Sequence, residues 1–214
     1  MSLPPPLPPT RAEAREAALL LVAIFLALAV SSIVPRDRLT WIMEALPVFI
    51  AGPILLLTWP SHRLTNLAYQ LIAVHALILL VGAHYTYAQV PLGEWVREAF
   101  DLERNPYDRL GHFAQGFVPA ILAREILLRV TDLRPGRMLF FIVASICLAI
   151  SAFYEFIEWW SALVLGQGAD EFLGTQGDPW DTQWDMFLAL CGAISAQFLL
   201  GKHHDEHLRR LIDR

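Results

Sequence analysis

RMLFFIVASICLAISAFYEFIEWWSALVL, residues 137–165, decides the fold. Only Arg137, Glu155 and Glu158 are charged in it. A buried strand needs about 4–8 residues, whereas a helix of this length rises roughly 43 Å at about 1.5 Å per residue. The hydrocarbon core of a bilayer is about 30 Å thick, so the stretch reads as a helix that crosses a membrane. Further runs of the same kind lie on both sides of it. Residues 180–201 follow, and about 108–130, 66–90, 41–59 and 17–34 precede it. Pro35, Pro60-Ser61 and Pro135-Gly136 separate runs, while Pro47, Pro53 and Pro119 fall inside them and imply kinks. The expected fold is all-α, a polytopic membrane protein with a bundle of six transmembrane helices and no internal repeat.

Composition agrees. Of 214 residues, 56% are hydrophobic and 17% charged, against about 45–50% and about 25% in an ordinary soluble domain. Mean hydropathy is +0.45. A net charge of -5 leaves no basic footprint for nucleic acid. Cys147 and Cys191 both lie inside apolar runs, where small core residues belong, and not in loops that a disulfide framework would staple. Residues 1–16, MSLPPPLPPTRAEARE, are expected to be a disordered, proline-rich leader passing into a helical entry. Residues 17–201 form the membrane domain, and 202–214 a charged, amphipathic tail. Ala27-Leu28-Ala29 resembles a signal-peptide cleavage site, but the apolar run is too long and more runs follow, so the first helix is expected to be retained.

Positive charge sets the expected orientation. Arg11, Arg15, Arg63, Arg124, Arg129, Arg134, Arg137, Lys202, Arg209, Arg210 and Arg214 fall on the side that holds both termini. Arg36, Arg38, Arg97, Arg104 and Arg109 fall on the other. Excess Lys and Arg marks the cytoplasmic side, so both termini are expected there.

That topology brings ionisable groups of five helices into one layer near the extracytoplasmic interface: Glu44, His84, Asp108, His112, Glu155, Glu158, Asp181 and Asp185, with Tyr154 beside them. The inner half holds little that is comparable apart from His75, expected to be satisfied by an interhelical hydrogen bond. Asp108 and His112, Glu155 and Glu158, and Asp181 and Asp185 each share a helical face through spacings of three or four. Charge at membrane depth is costly and faces a bundle interior or a watery cavity. Carboxylates with imidazole are ligands for Zn²⁺, Mn²⁺ or Fe²⁺, and the expected metal set is Asp108, His112, Glu158, Asp181, Asp185 and His84. Arg109, Tyr154, Glu155, Trp180 and Trp184 are the expected ligand-contacting residues, Arg109 as receptor for an anionic head group. Simpler roles stand beside these. Asp108 and Asp181 sit where N-caps belong, and His112 suits a hydrogen bond across the bundle. Glu155 and Glu158 face an unfavourable helix C-terminus and need a partner, whether Arg109, a histidine or a metal. Trp41, Trp95, Trp159, Trp160, Trp180 and Trp184 read as an interfacial belt, with Trp59 on the inner side. In GTQGDPWDTQWD (174–185), Gly174, Gly177 and Pro179 suit a tight path that delivers Asp181 and Asp185, with Asp178 on the loop surface. Three histidines in the tail suggest metal less than a solvated helix.

The strings GAHYTYAQVPLGEW, NPYDRLGHFAQGFVPAILAREILLR, AISAFYEFIEWW and FLGTQGDPWDTQWDMFLAL resemble the YjdF family of uncharacterised bacterial inner-membrane proteins, over about residues 17–201. The resemblance implies a multi-pass protein of the bacterial inner membrane and no established activity. Asp108-Arg109-Leu110-Gly111-His112, Glu158 or Glu155, and Asp181, Asp185 and Gly192 also resemble motifs of the VanZ family, small membrane proteins linked to resistance against lipoglycopeptide antibiotics. Leu188 or Ala189 stands where that family has Asn.

Two functions fit. One is a metal-assisted site acting on a lipid or envelope precursor at the outer leaflet, with metal-activated water as nucleophile, since no Ser-His or Cys-His pair falls on that side. The other is a non-catalytic membrane protein that holds a lipid, an ion or a drug, which the VanZ resemblance favours. A transporter needs polar residues through the full depth and ranks last.

Overall fold

The computed structural model describes residues 6–166, 172 and 175–212; the expectations for residues 1–5, Gly174 and 213–214 lie outside them. Among the described residues the chain is all-helical. Five helices are long and apolar enough to cross a membrane: α1 (Arg11–Ser31), α2 (Arg38–His62), α3 (Asn66–Tyr85), α6 (Arg137–Leu165) and α7 (Asp181–Ile212). A short α4 (Pro91–Ala99) lies between α3 and α5 (Tyr107–Val130). α5 is as long as its neighbours but carries Asp108, Arg109, Arg124, Glu125 and Arg129 near its ends. It packs on α3, α6 and α7, so its polar ends meet protein and it needs no all-round apolar face.

Local chemistry sets the helix starts. Thr10 and Glu13 form a reciprocal capping box that begins α1 six residues before the expected apolar run. Asp37 accepts from the Thr40 amide at 2.7 Å, and Thr65 caps α3 through Ala68. The prolines inside α2, Pro47, Pro53 and Pro60, are carried within the helix, which runs on to His62.

Lipid offers apolar side chains no reason to leave it, so the helices associate through small residues and polar contacts. The closest crossing is α5 on α7. A methyl group added to Gly116 would stand 1.7 Å from the Ala189 carbonyl oxygen, and one on Gly192 2.1 Å from that of Phe113. Ala120, Ala193 and Ala196 extend the contact, with Ile121, Val143 and Cys147 packed around it. This crossing sets the register between the polar starts of α5 and α7.

Several expectations change at the end of the bundle that holds Arg63. α7 does not stop at 201 but runs unbroken to Ile212, with His204, Leu208 and Leu211 buried. The leader is tied down from Leu7, whose amide donates to the Leu211 carbonyl at 3.0 Å and whose carbonyl accepts from Arg63 at 2.7 Å. Nor is this half poor in polar groups. Glu125, fully buried, accepts from the Thr65 hydroxyl at 2.7 Å, pairs with Arg129 at 3.1 Å and faces His204 Nε2 at 3.1 Å. Arg124 donates to His204 Nδ1 at 2.8 Å and pairs with Asp205 at 2.7 Å. Because guanidinium only donates, Nδ1 must accept, which places the ring proton on Nε2, toward Glu125. The network escapes a reading by depth because its members lie at or beyond the ends of the apolar runs, where charges ordinarily reach for water. His75 has no partner for Nε2; it borders an apolar cavity of about 540 Å³ between α1, α2, α3 and α5.

Candidate functional site

At the opposite end, three helices and two loops assemble the polar layer. α5 begins at Tyr107, and its start is fixed by Asn105, whose side chain accepts from the Tyr107 amide at 3.0 Å and donates to the Val90 carbonyl. Gln176 clasps the Asn105 backbone from both sides, accepting its N–H at 2.9 Å and donating to its carbonyl at 3.1 Å. Gly177, at φ 84°, permits the turn that follows. Asp178 then accepts from the Trp180 amide at 2.9 Å, and α7 begins at Asp181.

The counter-charge to this layer is Arg104. It hydrogen-bonds Asp181, pairs with Asp108 at 3.3 Å and lies 3.6 Å from Asp178. Burial opposes its charge, but the Asp181 hydrogen bond and the surrounding carboxylates hold its pKa above the ordinary guanidinium value. Asp108 and Asp181 therefore spend their side chains on Arg104 and not on capping. Asp178 is no loop-surface residue, since it bridges Arg104 and Arg109. Arg104 stands four residues before Asp108, but it precedes α5 across the break at Pro106, so the sequence does not show that the two meet. Arg109 reaches Asp178 at 3.3 Å and stacks over Trp184 at 5.4 Å.

Below Arg104 the donors close on His112. Its Nε2 lies 3.5 Å from Asp108 Oδ1 and 3.7 Å from Asp185 Oδ2; Nδ1 meets Gln115 Oε1 at 3.1 Å. With Nδ1–H donating to Gln115, Nε2 of a neutral ring would present a lone pair toward two carboxylates. That arrangement repels unless a cation, either a proton or a metal, stands between them. The separations are too long for charge-assisted hydrogen bonds of about 2.7–2.9 Å, but close to the roughly 3.4 Å between tetrahedral donors about 2.1 Å from a metal. Asp108, His112 and Asp185 each place one donor within 4.8 Å of the others, and His112, Glu155 and Glu158 form a second such group. Asp185 is 2% exposed, and neither its Oδ1 nor Glu155 Oε1 has a hydrogen-bond partner. Unpartnered buried carboxylate oxygens are costly.

The layer thus unites Asp108, His112, Glu155, Glu158 and Asp185 from three helices. Asp181 lies beside them, held by Arg104. His84 stands apart, its Nδ1 on the Ser31 carbonyl at 3.0 Å, because α1 ends against it. Tyr154 turns to Glu44 at 3.3 Å. Trp95, Trp159, Trp160, Trp180 and Trp184 remain exposed, but Trp41 leaves the belt: it is 9% exposed and donates to Ser31 Oγ at 3.1 Å.

A family model described as "Predicted membrane protein (DUF2238)" matches residues 17–206. The chain is 54% identical over 189 residues to the "Inner membrane protein YjdF" of Escherichia coli (strain K12), covering 88% of this chain and 90% of that protein. No solved structure matches. The chain therefore belongs to the DUF2238 family of membrane proteins.

Proposed function

We propose that this DUF2238 protein crosses the bacterial inner membrane six times, α5 included, with both termini cytoplasmic. In this reading its polar layer holds a divalent cation, Zn²⁺, Mn²⁺ or Fe²⁺, between His112, Asp108 and Asp185, with Glu155 and Glu158 adjoining. The cation serves a lipid or envelope precursor in the outer leaflet. One observation carries the reading: His112 Nε2 faces two carboxylate oxygens at metal-ligand spacing, and Asp185 keeps an unpartnered buried oxygen beside them. Gln115 orients the ring as an outer-shell partner orients a ligating histidine. Exposed Trp180 and Trp184 suit the approach of an amphipathic lipid, and the bound cation would polarise its ester or phosphate, or a water, for attack.

A second reading, a holder of lipid, ion or drug without turnover, is favoured by Arg109, which already engages Asp178 and Trp184 and is therefore a poor receptor for an anionic substrate. The VanZ-like motif points the same way. Metal content and thermal stability of the purified wild type, Asp185→Asn and His112→Ala test the site. Bound metal in the wild type, lost in both variants while each still folds, supports it; a wild type without metal after divalent-ion loading refutes it. Turnover of an outer-leaflet lipid that fails in both variants separates the catalytic reading from the binding one.

A further inference from the structure

At the end of the bundle opposite the proposed cation site, a cavity of about 460 Å³ opens between α5, α6 and α7. Arg124, Arg137 and Lys202 line it against one carboxylate, Asp205. That carboxylate is already paired with Arg124 at 2.7 Å, so the positive charge of Arg137 and Lys202 is left over. Both are exposed. Arg137 opens α6, whose N-cap is Gly136, a residue with no side chain to cap the first-turn N–H groups. The positive end of that helix therefore adds to the two cations.

The other wall is apolar and exposed. Phe140 and Phe198 pair their rings at 5.1 Å, and Phe198 is 75% exposed. The guest that fits must be anionic at one end and apolar at the other. Gly201 borders the cavity, and a Cβ placed on it would meet nothing within 4 Å, so the space continues up to the α7 backbone.

We propose that this cavity binds the phosphodiester head group of an anionic phospholipid, with Arg137 and Lys202 on the phosphate and Phe198 along the upper acyl chain. Basic pockets between helices at a membrane face are suited to such head groups, and each nearby Lys or Arg adds attraction at the surface. Three helices meet here, so a lipid would join the end of α7 to the start of α6, whatever the state of the cation site.

The test uses delipidated full-length protein in a neutral detergent. Binding is read by native mass spectrometry and by the thermal shift on adding phosphatidylglycerol, phosphatidylcholine or inorganic phosphate. Phosphatidylglycerol is expected to bind and raise the melting temperature, and the other two are not. Replacing both cations, Arg137→Gln with Lys202→Gln, should weaken phosphatidylglycerol by roughly thirtyfold, while the charge-keeping pair Arg137→Lys with Lys202→Arg retains it. Gly201→Leu, whose Cβ meets nothing within 4 Å, fills the cavity beside α7 and should abolish binding in a protein that still folds. Equal binding of phosphatidylcholine would overturn the proposal. So would an equal response to inorganic phosphate, or full phosphatidylglycerol binding by the charge-removed pair or by Gly201→Leu.

Discussion

Replacing Gly116 by alanine is the most exacting perturbation of the α5–α7 crossing. The new methyl carbon would stand 1.7 Å from the Ala189 carbonyl oxygen and 2.5 Å from its carbon. Ordinary contact needs about 3.3 Å, so the helices must part by about 1.5 Å. Neither clashing atom is a flexible side-chain end, and overpacking of this kind costs about 1–3 kcal/mol. For a chain of this size that corresponds to a drop in melting temperature of about 3–10 °C. Asp185 lies one turn before Ala189, so the same retreat widens the His112–Asp185 gap from 3.7 Å to roughly 5 Å, beyond what one ion about 2.1 Å from each donor can span. Metal affinity should therefore fall together with stability. Gly52→Ala in α2 is the control, since a Cβ there meets nothing and alanine should be neutral or stabilise by up to about 1 kcal/mol. Thermal denaturation and metal titration in detergent read both effects. A Gly116→Ala protein as stable and as metal-competent as the wild type would refute the close crossing and its role in the site.

Two other perturbations address the rest of the bundle. Glu125→Ala leaves Arg129, His204 and Thr65 facing a void in a buried network and should destabilise by about 3–5 kcal/mol, with Glu125→Gln milder because it keeps hydrogen bonds; thermal denaturation decides. Single cysteines at Ser61 and Glu98, in a background lacking Cys147 and Cys191, should react with an impermeant reagent added outside at Glu98 alone, and labelling of Ser61 alone would invert the proposed orientation.

The five apolar helices were legible because length and hydropathy need only composition. α5 was legible by its bounds, although its charged ends deny it the apolar criterion the others meet. The layer around His112 could be anticipated because charge at one depth must converge. Its counter-ion could not, since Arg104 reaches Asp108, Asp178 and Asp181 only through a chain path fixed by Asn105 and Gln176. The Glu125 network was missed for the opposite reason. Arg63, Arg124, Arg129 and His204 stand at or beyond the ends of the apolar runs, where a sequence offers solvent as the default partner, and only helix rotation decides that they turn inward. The tail was half legible: KHHDEHLRRLI reads as amphipathic, and His204, Leu208 and Leu211 form its buried stripe, but the sequence does not say that the stripe packs on the bundle as a continuation of α7.

X-ray absorption at the metal edge, on purified wild type and on His112→Ala, tests the central claim most directly. A divalent ion in an oxygen-dominated shell with one imidazole scatterer, lost with His112, is the predicted result. No bound metal after loading, or a shell unchanged by His112→Ala, would contradict it.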